Sequence, residues 1–553
     1  MTQVNRSGEQ AVSLRAGRSL TNRLVCSMLV GVSLASATLL AQAAPFKLSI
    51  VDRSEKRLPC RVLVKAEDGT CFVPQDATTL QTGRDLWFVS SGKTKVDVPS
   101  GRVLLRVERG LEFVRFKGWI DVTESGSTKT VRLRRWVHMK ERGYLTGENH
   151  LHIDSKQLAP MLAAEGLDFG TSLTWWRGPD ARRPIPPGSG KSRRLTFAGH
   201  TTPTSIYDAE LEYAWGAAYI QNLPAPLPLK AEPGRPNLDY LKHAVKRGAI
   251  VHYQGGWSRE VLLDALSGCV HTVNVCNNNF ALHRFQPRSR YSNLLNVEGF
   301  PTYPDTDVGM LNMNTATYYR LLNCGLRLAA GAGSATGVKA APVGYNRAYV
   351  RVAEDASIEE FYRAWKRGSN FVTNGPILQL STASNRRPGD TIKLSPSGGT
   401  IDVRLEVVSD QPLQTVQLVV NGEVIESFDI KDPKRVEVTR KVTMESGSWI
   451  VARCTARDDW LTDKELTPYD GRGTRDPFGV ARSRLRFAHS SPIYVTVGGR
   501  GPLVRRSVEE GLVMLDRFDD FATATAAPAF QSSIQAAVAA ARDKLKRRLR
   551  ANE

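Results

Sequence analysis

The sequence predicts an α/β body set between two β-sandwich domains, and three observations carry that expectation. Short alternating apolar runs punctuated by turn signals fill residues 44–137 and return over residues 382–500, as half-buried strands do. Between them, over residues 138–381, helical spacings alternate with short apolar runs, the pattern of α/β folds. At 553 residues the chain is also too long for a single core, so three or four domains are expected. A leader over residues 1–43 and a helical tail over residues 501–553 complete the division.

The leader has the parts of a secretory signal. Arg15, Arg18 and Arg23 precede a mainly apolar run over residues 24–40, and Ala41-Gln42-Ala43 supplies a small-x-small cleavage site. The chain is therefore expected to be exported, periplasmic or extracellular after cleavage near Ala43. The alternative is a retained anchor, because the run approaches bilayer-spanning length. Cys26 opens the apolar run instead of closing it, which argues against a lipoprotein. No later segment is long and apolar enough to span a membrane, so the mature chain is expected to be soluble.

The formal net charge is +20, and part of it sits in the leader, in residues 177–194 and in residues 542–550. These stretches do not interleave aromatic and basic residues as single-strand readers do, and no helix-turn-helix, zinc-finger or RNP pattern is present. Specific nucleic-acid binding is thereby excluded, leaving a solvated basic surface suited to acidic polymers or lipid headgroups. Six cysteines follow the leader, too few for a disulfide scaffold. Cys60 and Cys71 flank a predicted hairpin (residues 61–65 and 69–73) and are either bridged or free.

Further elements follow in order. Helices are predicted over residues 238–247 and 258–267, and strands over residues 249–253, 270–275 and 371–373. Ser357 and Glu360 form a capping box for a helix ending at Arg367, with Gly368 as its stop. Residues 184–190 read as an exposed loop. Residues 416–420 run into Asn421-Gly422, the strongest hairpin signal in the chain, and residues 493–497 read as a closing strand. In the tail, Ser507 and Glu510 suggest another capping box. Val508, Leu512, Leu515 and Phe518 make one apolar stripe, Pro528 breaks it, and Phe530, Ile534, Val538, Ala541 and Leu545 make a second. The first stripe is expected to dock on the folded body. The basic run at residues 544–550 leaves contact with an anionic membrane surface as the alternative.

The sharpest chemical feature is Gly147-Glu148-Asn149-His150-Leu151-His152. Two histidines at i and i+2 on a strand share a face, so both imidazoles can reach one metal ion. His252, just before Gly255-Gly256, is a further ligand, a general base or simply a hydrogen-bonded strand-end histidine. Trp175, Trp176, Tyr253 and Trp257 cluster near predicted strand ends, either as core or as stacking faces for a sugar ring beside amides such as Asn277. Arg177 and Arg347 can hold an anionic group.

Together with residues 318–327, residues 342–350 and Phe371-Val372-Thr373-Asn374-Gly375-Pro376, the histidine segment resembles the PHP (polymerase and histidinol phosphatase) superfamily. Within it, the resemblance is to the CehA/McbA-like metallohydrolases, whose domain opens with Gly-Asp-x-His-x-His. The resemblance implies a distorted PHP-type β/α barrel with metals at the C-terminal strand ends. The departures are specific: Thr174-Trp175-Trp176 stands where the family has Thr-Asp-His, and Ala217 where a histidine is expected. Ser334-Ala335-Thr336 replaces the late Asp-x-His, and Asn277-Asn278-Asn279 offers amides only. His150, His152 and one of Glu210 or Glu212 remain as a two-His-one-carboxylate set. That set implies one divalent metal, zinc first with manganese or iron as alternatives, activating water against an ester or phosphoester. The expected function is an exported metal-dependent hydrolase of a small molecule. The competing expectation is a catalytically degenerate relative that binds a ligand such as carbohydrate.

Overall fold

Phe46, Leu48 and Ile50 point inward from the strand Ala43–Val51, each at most 2% exposed, which is why this run reads with a period of two. The strand pairs with Lys93–Pro99 and Ser127–Arg132. A second sheet, ordered Thr79–Thr82, Asp85–Ser90, Cys60–Ala66, Gly101–Glu108 and Phe116–Val122, shares one apolar core with the first. The expected hairpin is present, with Lys65 opposite Cys71. Cys60, at the far end of its strand, lies opposite Ser90 instead. The two thiols are therefore free, not bridged. The computed structural model describes residues 43–176, 190–229, 232–286, 301–462, 465–466 and 481–552, all within one unit, Gln42–Glu553. The leader, Arg177 and the loop at residues 184–189 lie outside the described residues.

The middle of the chain builds a mixed sheet of seven strands: β1 (Gly170–Trp176), β2 (Ser192–Phe197), β3 (His200–Tyr213), β4 (Gly216–Gln221), β5 (Ile250–Tyr253), β6 (Thr272–Cys276) and β7 (Ala329–Ala332). Their order is β1-β3-β4-β5-β6-β7, with β2 paired to β3. Among the described residues, seven helices pack with this sheet or its neighbours: α1 (Ser155–Glu165), α2 (Asn237–Lys246), α3 (Val261–Leu266), α4 (Asp307–Asn323), α5 (Ile358–Arg367), α6 (Arg505–Thr525) and α7 (Pro528–Asn552). The fold is thus mixed α/β and rich in sheet. One face of β3 to β6 carries Leu211, Ile220, Val251, Tyr253, Val273 and Val275 into the largest core. The opposite face carries Glu210, Tyr219, His252 and Thr272, which are in register across four strands and almost completely buried.

Helix α3 begins at Val261, later than the sequence suggests, because Glu260 is engaged elsewhere. Its carboxyl accepts the amides of Asn237 (2.9 Å) and Leu238 (3.0 Å) and so closes the N-terminus of α2, whose N-cap Pro236 has no side-chain acceptor. The capping box of Ser357 and Glu360 and the stop at Gly368 bound α5 as expected.

One nine-stranded sheet joins the middle of the chain to its C-terminal part. Tyr144–Gly147, Arg347–Arg351 and Asn370–Thr373 continue into Leu485–Ser490, Ser448–Arg457, Leu413–Val420 and Glu423–Ser427. A three-stranded sheet, Ile377–Thr382, Gly399–Val408 and Arg435–Met444, contributes to the same core. The hairpin at Asn421 (φ 50°) and Gly422 (φ 95°) has both turn residues left-handed, which is why this dipeptide marks it so clearly. Asp458, at 0% exposure, receives Arg115 at 2.9 and 3.0 Å and also Arg486, tying the N-terminal sheets to the C-terminal ones.

The tail docks. Val508, Leu515 and Phe518 of α6 and Ile534, Val538, Ala541 and Leu545 of α7 all enter the large core beside α3 and α4. Ser507 is not a cap: α6 starts at Arg505, and Ser507 is buried against the Asn323 side chain while Glu510 pairs with Arg320 at 2.7 Å. The basic run is partly spent on helix ends. Lys544 Nζ donates to Leu266 O at the end of α3, and Arg548 Nη1 to Cys324 O at the end of α4 (both 2.6 Å). Cations there satisfy orphan carbonyls and oppose the helix dipole.

Two measurable consequences follow from this packing. Leu545→Ala should lower unfolding free energy by about 2–5 kcal/mol, as for other buried leucines, whereas exposed Lys546→Ala should change it by no more than about 0.5 kcal/mol; denaturant titration measures both. Burial holds the carboxyls of both Glu260 and Asp264 above their ordinary range; the charge of Asp264 adds to the rise at Glu260, while the Tyr253 hydroxyl opposes it at Asp264. Groups raised in this way favour the folded chain most below about pH 4, and that contribution falls as pH rises through the raised values. Asp264→Asn, which cannot ionise, should flatten the decline of melting temperature between about pH 4 and about pH 9.

Candidate metal centre

The histidine pair owes its position to a chain segment held on both sides by backbone. Asn149 N donates to Ala332 O (3.0 Å), Ala335 N to His150 O (2.8 Å) and His152 N to Thr336 O (2.8 Å), with Leu151 bridged in parallel to Thr336. On the other side, Phe169 N donates to Thr146 O just before β1 (2.9 Å). A Cβ at Gly333 would fall 2.6 Å from His150 Cβ and 2.4 Å from Asn149 Oδ1, so only glycine lets the two segments run this close. Asn149 and Asn274 exchange both amide hydrogen bonds, at 2.7 and 2.9 Å, fixing the segment to β6.

In this setting His150 and His152 turn their Nε2 atoms together, 2.8 Å apart. Glu210 closes the triangle, with Oε1 at 3.2 Å from His150 and Oε2 at 3.0 Å from His152. All three residues are at most 5% exposed. They are the one group of three or more potential ligands gathered within 4.8 Å of one another among the described residues. Of the two glutamates that the sequence leaves open, Glu210 is the one at the imidazoles. Glu212 shares its face, but two residues along a strand is about 6.6 Å, and Glu212 lies beyond, opposite Ala217.

Electrostatics fit a cation here. Burial alone would raise the Glu210 carboxyl, but the two imidazoles outweigh it and hold the group well below the usual carboxylate range. A buried carboxylate requires a positive charge, supplied either by imidazole protons or by a metal. Tetrahedral ligands with bonds of about 2.1 Å stand about 3.4 Å apart, close to the separations seen here. The His150 ring lies against Tyr219, tilted by 33° with ring centroids 4.1 Å apart. Among the described residues its Nδ1 has no hydrogen-bond partner, where metal-bound histidines usually have one.

Other sequence candidates fall elsewhere. His252 lies two strands from Glu210 on the same face, beyond Tyr219. Its Nδ1 is 2.6 Å from Thr272 Oγ1, its ring meets Trp365, and burial holds its pKa well below the ordinary value. It is therefore a neutral strand histidine outside the ligand triangle. Trp257 (4% exposed) and Tyr253 (0%) belong to the core, which leaves neither a face for a sugar. The Asn277 amide is consumed internally, donating to Gln254 O and accepting from Asn279 N and Asn314 Nδ2. Arg347 is buried and donates to the carbonyls of Gly344 and Glu165. Trp175 and Trp176 end β1, with Trp176 opposite Glu210 in register. Arg177 lies outside the described residues.

Sequence reading passed over Glu148, Tyr219 and Asn274. Glu148 accepts the amides of Ser334 and Gly344, and burial raises its carboxyl to about 8 against those bonds. Its place in the histidine segment was the available signal; Tyr219 and Asn274 had none, because only the sheet register brings them near. No protein-family model, curated protein or solved structure matches this chain.

The geometry separates the two glutamates experimentally. Glu210→Gln should weaken zinc binding beyond the roughly 10–100-fold typical of changes behind the ligands. Glu212→Gln should leave it unchanged. Competition against a chromophoric chelator measures both.

Proposed function

We propose that this chain is an exported, PHP-like, metal-dependent hydrolase of ester or phosphoester bonds. In this reading the seven-stranded sheet is a distorted PHP-type β/α barrel between two β-sandwiches. The observation that carries the proposal is the buried triangle of His150, His152 and Glu210. Two imidazoles and one carboxylate suit zinc first, with manganese or iron as alternatives. A divalent ion bound there would supply Lewis acidity and an acidified water at neutral pH. The chain's own contributions are positional. Glu210 provides the single negative charge, and Tyr219 supports the ring of His150. The Asn149–Asn274 pair and the ladder to residues 332–336 hold both histidines in place. Export rests on the leader, with its basic start and Ala41-Gln42-Ala43.

A second reading, a relative that binds a ligand without turnover, is favoured by Ser334. It stands where the resemblance calls for a ligand, and its amide and hydroxyl are spent on Glu148 and Asn346. One experiment addresses both readings. Purified protein is assayed against p-nitrophenyl acetate and bis(p-nitrophenyl) phosphate, before and after metal removal, beside a His150→Ala/His152→Ala variant. The hydrolase reading expects turnover that is lost on chelation, restored by zinc and reduced at least about 100-fold in the variant. Metal binding without turnover of either substrate would favour the second reading, and turnover indifferent to both histidines would sink the first.

A further inference from the structure

A cleft of about 560 Å³ opens between the N-terminal segments around residues 52–59 and 109–113 and the segments that precede β1 and β3, lined by residues of both. It is distinct from the metal centre: none of His150, His152 and Glu210 lines it. Gly166 and Asp168, in its wall, precede β1, whereas Glu210 faces Trp176 at the far end of that strand.

The charges lining the cleft do not balance. Seven arginines and lysines line it beside four carboxylates; Lys140 also pairs with Glu354 outside the lining, and the four carboxylates are already engaged. Asp52 accepts from Ser54 and the Lys56 amide, Glu165 from Arg61 and Gly110, Glu112 from Arg135, and Asp168 from Thr146. Arg53 and Arg57 at the rim are exposed, and their guanidinium groups make no hydrogen bond or ion pair among the described residues. Deeper in the wall, Arg109 is 7% exposed; its Nη1 donates to Ala163 O and Pro59 O, but among the described residues its buried Nε has no partner. An unsatisfied buried donor is unfavourable, and guanidinium groups are the side chains best shaped for planar recognition of oxyanions. The volume suits a small organic molecule better than a bare ion.

We propose that this cleft binds a small organic polyanion, a phosphorylated metabolite-sized ligand held by the Arg53 and Arg57 rim over the Arg109 wall. The site is independent of the metal centre and of any hydrolysis there.

Calorimetry on the full chain tests it with two probes, inorganic phosphate and glucose 1,6-bisphosphate, at matched ionic strength. The bisphosphate should bind at least tenfold tighter than phosphate. Arg53→Gln/Arg57→Gln, which removes two exposed side chains and leaves the fold's own bonds intact, should weaken it at least tenfold. His150→Ala/His152→Ala should leave it unchanged. Binding that survives the double arginine substitution, or disappears with the histidines, overturns the assignment. So does heat no greater than that of matched sodium chloride.

Discussion

Asn149, His150 and His152 hang from a short parallel ladder to Ala332, Ala335 and Thr336, and most of what is distinctive in this fold answers to that pairing. The ladder joins segments far apart in sequence, so it forms only when the sheet from β1 to β7 is in place. It requires a glycine at position 333, and it sets both imidazoles over β3 at the level of Glu210. The long strand β3 can then meet them with one carboxylate and not two. Shifting the pairing by one residue would turn the histidines away, because side chains alternate along extended backbone.

The face of the sheet beneath them reverses the usual preference. Polar residues are buried there and apolar ones point to the helices. Such a layer is stable only when its groups satisfy one another. The amides of Asn149 and Asn274 do so reciprocally, and Gln221 donates to Glu148 O. Asn346 spends its side-chain amide on three carbonyls. The residue left with a charge to be met is Glu210, at the histidines. A buried polar layer with a charge focus is expensive to maintain for structure alone, which is the physical motive for reading the focus as a site.

The rest of the molecule braces that layer. Asp458 and its two arginines, and Arg61 between Glu108 and Glu165, clamp the N-terminal sheets onto the middle and C-terminal parts. Two tail helices cover α3 and α4, and Lys544 and Arg548 of α7 close the carbonyl ends of those helices. Buried ion pairs of this kind add little net stability but penalise any arrangement that leaves one partner alone.

Features of short range were legible in the sequence. The Asn421-Gly422 hairpin, the Ser357 capping box and the period-two run at Phe46, Leu48 and Ile50 are set by backbone sterics and local hydrogen bonds. His150 and His152 do meet, but not on a strand as the spacing suggests: the strand ends at Gly147, and the backbone bonds to residues 332–336 set both imidazoles. What depends on distant neighbours was not legible. Ser507 and Glu510 spell a capping box, yet packing against Asn323 and Arg320 places them inside the helix. Trp257 and Asn277 have the composition of a binding surface, but burial consumes both. The choice of Glu210 over Glu212, the arrival of Tyr219 beneath His150 and the gathering of Arg53, Arg57 and Arg109 around one cleft are likewise tertiary. By itself the sequence determined which residues could bind, through their chemistry and local periodicity. Only the tertiary structure decided which of them meet, because register and packing bring together groups that no local pattern connects.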